Sequence, residues 1–382
     1  MVAMDAALTS HPITVAESDL EDLRDRLRRT RWPDRETVDD WSQGIPLTYV
    51  QDVCRYWADE YEWRRVEAEL NGFEQLRYTD PSGLGIQVLH APSPEPAALP
   101  LVLTHGWPGS VVEFLDVVEA LRDPASHGGE RADAFHVVCP TLPGYGFSDK
   151  PTEAGWGVER IADCWAGLMP ALGYPQYGAQ GGDWGAAVTT SLGVRDPAHC
   201  VGIHLNMVTV GPPHGATDHT ESEQAALASL VHYQEWDSGY STQQATRPQT
   251  LGYGLVDSPA GQAAWVLEKF WSWADHGGHP ENVLTRDRLL DNVMHYWLPG
   301  AGASSARLYW ESFRRRQREP VEIPSGMSIF PKEIFRASRR WAERRFVDIR
   351  YWNELERGGH FAAFEVPEVY VDEVRAFFRT VR

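Results

Sequence analysis

The chain has 382 residues, of which 42% are hydrophobic and 23% charged, and it carries a formal net charge of −19. This is the composition of a globular protein with one large domain or a domain with additions, and the acidic balance argues against nucleic acid or an anionic membrane as a partner. Cys54, Cys139, Cys164 and Cys200 lack metal-ligand spacing, the N-terminus has no signal-like apolar run, and no stretch is apolar enough to span a membrane, so a cytoplasmic protein with reduced thiols and no metal is expected.

Residues 1–95 read as an N-terminal extension. In "VAESDLEDLRDRLRRTRWPD", Leu20, Leu23 and Leu27 recur at helical spacing until Pro33 stops the run. "PLTYVQDVCRYWADEYEWRRVEAELNGF" is expected as a second helical region ended by Asn71 and Gly72, and "GIQVLHAP" alternates like a strand. Residues 96–208 show an α/β rhythm. "LPLVLTHGWPG", "FHVVCPTLPGYGFSD", "YGAQ" and "CVGIHLNMV" supply strands, with helical runs such as "VVEFLDVVEALRD" and "GVERIADCWAGLMPALG" between them. Such alternation predicts a parallel sheet covered on both faces. The rhythm breaks over 209–319, a helical region rich in Gln, Trp, Tyr, Gly and Pro, expected to form a cap over the sheet. It resumes over 320–382 with "EIPSGMSIF", "VDIRYW" and the final amphipathic helix "VPEVYVDEVRAFFRTV".

The stretch "AQGGDWGAA", residues 179–187, has the small-x-nucleophile-x-small pattern of a strand-to-helix elbow, with Asp183 where such turns usually carry Ser. "IFPKEIF" places Glu333 after a strand, and "RGGHFAAFEVPE" places His360 before the final helical region. Each has an ordinary reading alone: a turn, a carboxylate at a helix start, a polar histidine. Together they stand in the order nucleophile, acid, histidine at strand ends, the arrangement of an α/β-hydrolase fold. "THGWPGS", residues 104–110, resembles the oxyanion-hole loop of such enzymes. The backbone N–H groups of Trp107 and Trp184 are expected to point at one oxygen. Asp348 is a rival for the acid, although it lies within a strand-like segment.

Over nearly its whole length the chain resembles the microsomal-type epoxide hydrolases. The segments that carry the resemblance are "RLRRTRWPD", "YWADEYEWRRVEAELNGF", "LTHGWPGS", "PGYGFSDKP", "GGDWG", "QATRPQTLGYGLVDSPAGQAAWVLEKF", "FPKE" and "RGGHFAAFE". The resemblance implies Asp183 as nucleophile, His360 as the base that activates water, and Glu333 as its orienting acid. It also implies Tyr240 and Tyr309 as the cap tyrosines that activate the epoxide. Spacing alone does not choose this pair from Tyr240, Tyr253, Tyr296 and Tyr309. An epoxide carbon is an sp³ electrophile, which suits a carboxylate nucleophile: its ester can be hydrolysed, whereas a serine ether could not. The implied partners are a small-molecule epoxide and water. No cofactor is implied, no nucleic acid partner and no membrane anchor, and there is room for a homodimer. Natural-product tailoring, including enediyne-type pathways, is the role favoured, with xenobiotic or terpene epoxides as the open alternative. The alternatives are a haloalkane dehalogenase-like hydrolase, which also uses an elbow Asp, and a non-catalytic α/β-hydrolase binding protein.

Overall fold

The computed structural model describes residues 7–314 and 318–382. The apolar runs assemble into one nine-stranded sheet: β1 (Leu8–Ser10), β2 (Glu74–Thr79), β3 (Gly85–Ala91), β4 (Leu99–Thr104), β5 (Phe135–Pro140), β6 (Tyr177–Gly181), β7 (Cys200–Leu205), β8 (Val321–Ile329) and β9 (Phe346–Glu354). Their order is β1-β2-β3-β5-β4-β6-β7-β8-β9. The pairs from β1 to β5 are antiparallel, and those from β5 to β9 are parallel. The fold is that of the α/β-hydrolases, a mostly parallel sheet flanked by helices. β4, β5, β6 and β7 are buried over most of their length, as strands covered on both faces must be.

Three helices precede the parallel sheet, α1 (Glu17–Arg28), α2 (Leu47–Asp59) and α3 (Trp63–Leu70). The second helical region is therefore two helices and not one. The break lets Tyr61 turn inward, where its hydroxyl donates to Asp291 at 2.7 Å, and Trp63 starts the next helix on a buried face. β3 also differs from the alternation in its sequence. Every residue of it is buried, so both faces of the strand are covered and not one alone. α4 (Leu115–Arg122) follows a short 3₁₀ turn, Val111–Phe114, whose Ser110 side chain accepts the Val112 N–H. α5 (Val158–Ala171) packs on α6 (Asp183–Arg195), which lies against β4, β6, β7 and β8.

Between β7 and β8 the chain forms α7 (Glu221–His232), a π-turn at Tyr233–Asp237, α8 (Gly239–Thr246), α9 (Pro248–Asp257), α10 (Pro259–Trp273), α11 (Arg286–Trp297) and α12 (Gly302–Ser312). The chain ends with α13 (Arg339–Ala342), α14 (Ala362–Glu365) and α15 (Pro367–Phe378), the last packed on α4, β7, β8 and β9. The N-terminal helices hold α11 through charged and polar contacts. Arg65 and Tyr61 both reach the buried Asp291, and Arg288 meets Glu69 through two N–H groups at 2.8 Å each. No described helix is long and apolar enough to cross a membrane.

Candidate active site

The chain runs from β4 to β5 on one side and then to β6 on the other side of β4. That reversal opens a crevice at the carboxyl ends of β4 and β6, where open α/β sheets bind ligands. The loop 104–110 leaves β4 there, and Asp183 leaves β6. Asp183 has φ of 47°, the only non-glycine residue with positive φ among the described residues. This strained conformation turns the carboxylate into the crevice. Gly185 makes the elbow possible, because a side chain there would collide with the backbone carbonyl of Thr104.

The Trp107 N–H donates to Asp183 Oδ1 at 2.8 Å, and the Trp184 N–H also reaches this carboxylate. His360 Nε2 stands 3.7 Å from Asp183 Oδ2, and its Nδ1 lies 2.7 Å from Glu333 Oε1. Glu333 comes from the loop after β8 and is 2% exposed; His360 comes from the loop after β9 and is 5% exposed. The His360 N–H donates to the Trp273 carbonyl at 3.0 Å, and the Trp273 ring packs edge-on against the imidazole at 5.0 Å. Asp348, the rival acid, lies in β9 and pairs with Arg350 at 2.9 Å. His105 is buried and neutral. Burial lowers it to about 4, the Leu142 N–H donates to Nε2, and Nδ1 is left to donate to the Gly106 carbonyl.

The four tyrosines separate by position. Tyr253 is 72% exposed, and Tyr296 donates to the Gly109 carbonyl at 2.7 Å. Tyr240 and Tyr309 are buried over the crevice with ring centroids 5.8 Å apart. Tyr240 stacks on the Trp107 indole at 4.8 Å, and Tyr309 meets the Trp184 indole edge-on at 4.8 Å. The Tyr309 hydroxyl is buried and, among the described residues, makes only a long contact with Tyr240, which leaves its donor available to an incoming oxygen.

The N-terminal part of the chain, residues 8–114, matches the family model for the epoxide hydrolase N terminus, and residues 100–248 match that for the alpha/beta hydrolase fold. A candidate epoxide hydrolase of Stigmatella aurantiaca is 53% identical over 98% of this chain and 86% of its own length. Epoxide hydrolase 1 of Oryctolagus cuniculus is 32% identical over 98% of this chain and 89% of its own. The chain belongs to the epoxide hydrolase family. Among solved structures, juvenile hormone epoxide hydrolase from the silkworm Bombyx mori superposes with a TM-score of 0.91 at 29% identity, covering 98% of this chain and 95% of that one. The Aspergillus niger epoxide hydrolase gives 0.88 at 29% identity, covering 98% and 96%.

In this epoxide hydrolase the Asp183 carboxylate stands between two cavities. One is a channel of about 950 Å³ whose apolar wall includes Met207, Val208, Leu227, Leu230, Phe335 and Trp341, and which reaches Tyr240, Tyr309 and Trp184. The other is a cavity of about 20 Å³ lined by His360, Glu113, Trp107 and Gly109. Burial pushes the Asp183 carboxyl upward, against the His360 charge and the two amide N–H groups. Burial also works against the imidazolium of His360, but Glu333, through its charge and hydrogen bond, with Asp183 and Glu113 beyond it, outweighs burial and raises the group to about 9.

Three neighbours of the site were not singled out from the sequence. The Tyr233 hydroxyl lies 3.0 Å from that of Tyr240; the seven-residue spacing of the two, about two helical turns, was the available signal. Lys269 is buried, pairs with Asp237 and Glu268 at 2.6 Å each, and stands 4.8 Å from the Tyr240 ring centroid. Glu113 is a carboxyl beside the small cavity, and nothing in "VVEFLDVV" distinguishes it from a solvated helix-start acid.

Proposed function

We propose that this enzyme converts an apolar epoxide to its vicinal diol through a covalent ester on Asp183. The observation that carries the reading is the position of one carboxylate between buried phenols on one side and a carboxylate-held imidazole on the other. The epoxide enters the channel, and Asp183 Oδ2 displaces the ring oxygen from carbon in an SN2-like step. Tyr240 and Tyr309 donate hydrogen bonds to the departing oxygen, and their neutral phenols supply the proton. Burial keeps both hydroxyls protonated far above neutral pH, so they act as donors and not as anions.

The ester then has no charge at Asp183. One of the charges that hold the proton on His360 is thereby gone, so the imidazole becomes a better base at the step that needs one. His360, oriented by Glu333, deprotonates a water that attacks the ester carbonyl. The oxyanion forms where Trp107 and Trp184 present their N–H groups, and losing one such donor commonly costs about 10²–10³ in rate. In this reading residues 1–95 are the N-terminal extension, 96–208 and 320–382 the hydrolase core, and 209–319 the cap. The role we attach to the enzyme is natural-product tailoring in the cytoplasm. A channel this size admits a substrate considerably larger than a simple aryl epoxide.

A panel of aryl and terpene epoxides incubated with purified protein should yield vicinal diols, with enantiomeric enrichment on chiral chromatography. Chloride release from haloalkanes without diol from any epoxide would contradict the reading.

A further inference from the structure

The two half-reactions need different molecules at the same carboxylate, and the two cavities divide them. The tyrosines line only the large channel, His360 lines only the small cavity, and Asp183 lines both. The small cavity, about 20 Å³, holds one water molecule. Glu113 reaches it from the 3₁₀ turn after the 104–110 loop. A carboxylate oxygen of Glu113 occupies the space into which any side chain at residue 109 would project, so Gly109 is what admits it. No ion pair joins Glu113 to a Lys or Arg among the described residues, and the Ser110 amide supports its carboxyl. Burial, with Asp183 nearby and against the pull of His360, raises the carboxyl to about 8. Glu113 is half-buried and lines the small cavity, and a carboxyl held there without an ion pair is costly unless something in the cavity satisfies it. A water in the cavity gives it a hydrogen-bond partner.

We propose that this cavity is the waiting site of the hydrolytic water and that Glu113 is a catalytic residue that holds this water against His360 for attack on the ester. The inference rests on the Asp183 ester of the preceding section. The Glu113 carboxyl binds one hydrogen of the water while His360 Nε2 takes the other. As the proton passes to Nε2, the water oxygen bonds to the ester carbon, and the carbonyl electron pair moves to the oxygen held by Trp107 and Trp184. Collapse breaks the bond from that carbon to the alkyl oxygen, which takes the proton back from His360 and leaves as the diol. The remaining water proton leaves as the new carboxyl ionises and restores the phenol that gave up its proton in ring opening, so the enzyme returns to its starting state. The water is stored in a cavity that the tyrosines do not line, so the substrate in the channel does not have to leave room for it.

The test separates the half-reactions in single-turnover experiments with the full-length protein and a styrene oxide probe. Alkylation is followed by indole fluorescence, and ester by intact-protein mass spectrometry. Glu113→Ala and Glu113→Met, the second of which fills the space without a hydrogen-bonding end, should slow ester hydrolysis by about 10–10²-fold and leave alkylation within about 3-fold, so that ester accumulates. Glu113→Gln keeps a hydrogen-bonding end and should restore hydrolysis to within about 5-fold of the parent rate. Unchanged hydrolysis in the Ala and Met variants, an equal fall in both half-reactions, or a Gln variant no better than Met would each overturn the proposal. His360→Gln is the control. No ester in that variant would overturn the Asp183 route itself, whereas ester there with unaltered hydrolysis in the Glu113 variants would overturn the water site alone.

Discussion

The two sides of Asp183 are built by different means. On the sheet side, Glu333 and His360 come from loops after neighbouring parallel strands and are fixed by charge and hydrogen bonds, facing Asp183 on its elbow at positive φ. On the cap side, Tyr233, Tyr240 and Tyr309 are neutral phenols held by burial and ring packing, with the Tyr309 hydroxyl left without a short hydrogen bond among the described residues. In the mechanism we propose, the sheet side controls protons and charge at one carboxylate, and the cap side offers donors to an oxygen that arrives with the substrate. On that proposal, damage on the two sides should be separable in time, with cap variants slowing formation of the ester and histidine-side variants slowing its breakdown.

The largest effect erases the comparison altogether. Asp183→Ala removes the atom both sides serve, and diol formation should fall by about 10⁴-fold or more, with the circular dichroism spectrum of the folded protein retained. Substantial residual turnover would show that the carboxylate is not the nucleophile. Loss of the base comes next. In His360→Gln, hydrolysis of the ester should slow by about 10²–10⁴-fold while alkylation proceeds, so mass spectrometry should find a stoichiometric adduct. Glu333→Gln should show the same imbalance more weakly, because the base stays in place and loses only the partner that orients and charges it.

Tyr240→Phe and Tyr309→Phe sharpen the comparison from the other side. Each should slow alkylation by about 10²-fold, and the double variant by less than the product of the two, since both donors serve one oxygen. Ester hydrolysis should be unaffected; a parallel fall in hydrolysis would mean that the cap side is not confined to ring opening. Tyr233→Phe should have the smallest effect, about 5-fold on alkylation alone, the worth of one hydrogen bond to Tyr240. An effect as large as that of Tyr240→Phe would make Tyr233 a member of the donor pair.

The same division governs what could be read from the sequence. Asp183 and His360 are legible because each sits in a glycine-rich turn, and Glu333 because it follows a strand; the geometry that such sites need dictates local residues. The α/β rhythm is legible because parallel strands buried on both faces are runs of apolar residues. The tyrosines are not legible from spacing, because the cap helices are rich in aromatic residues and only the packing decides that Tyr253 faces solvent while Tyr309 does not. Only the resemblance singled out Tyr240 and Tyr309. β1 was missed because a three-residue edge strand carries almost no pattern. The break between α2 and α3 was missed because Tyr61 turns inward to meet Asp291, far away in the sequence. Glu113 was missed for a similar reason: its environment is made by Gly109 and His360, and its own segment reads as an ordinary amphipathic helix.

The central claim is that Asp183 bonds to the substrate and that water attacks the resulting ester. The most direct test follows oxygen. With enzyme in excess over epoxide, one turnover in ¹⁸O-water should give unlabelled diol, because the oxygen added to carbon is an original Asp183 oxygen. The peptide containing Asp183 should then carry one ¹⁸O atom. Diol labelled from the first turnover, with Asp183 unlabelled, would mean that water attacks the epoxide directly and that Asp183 is at most a base, which contradicts the account.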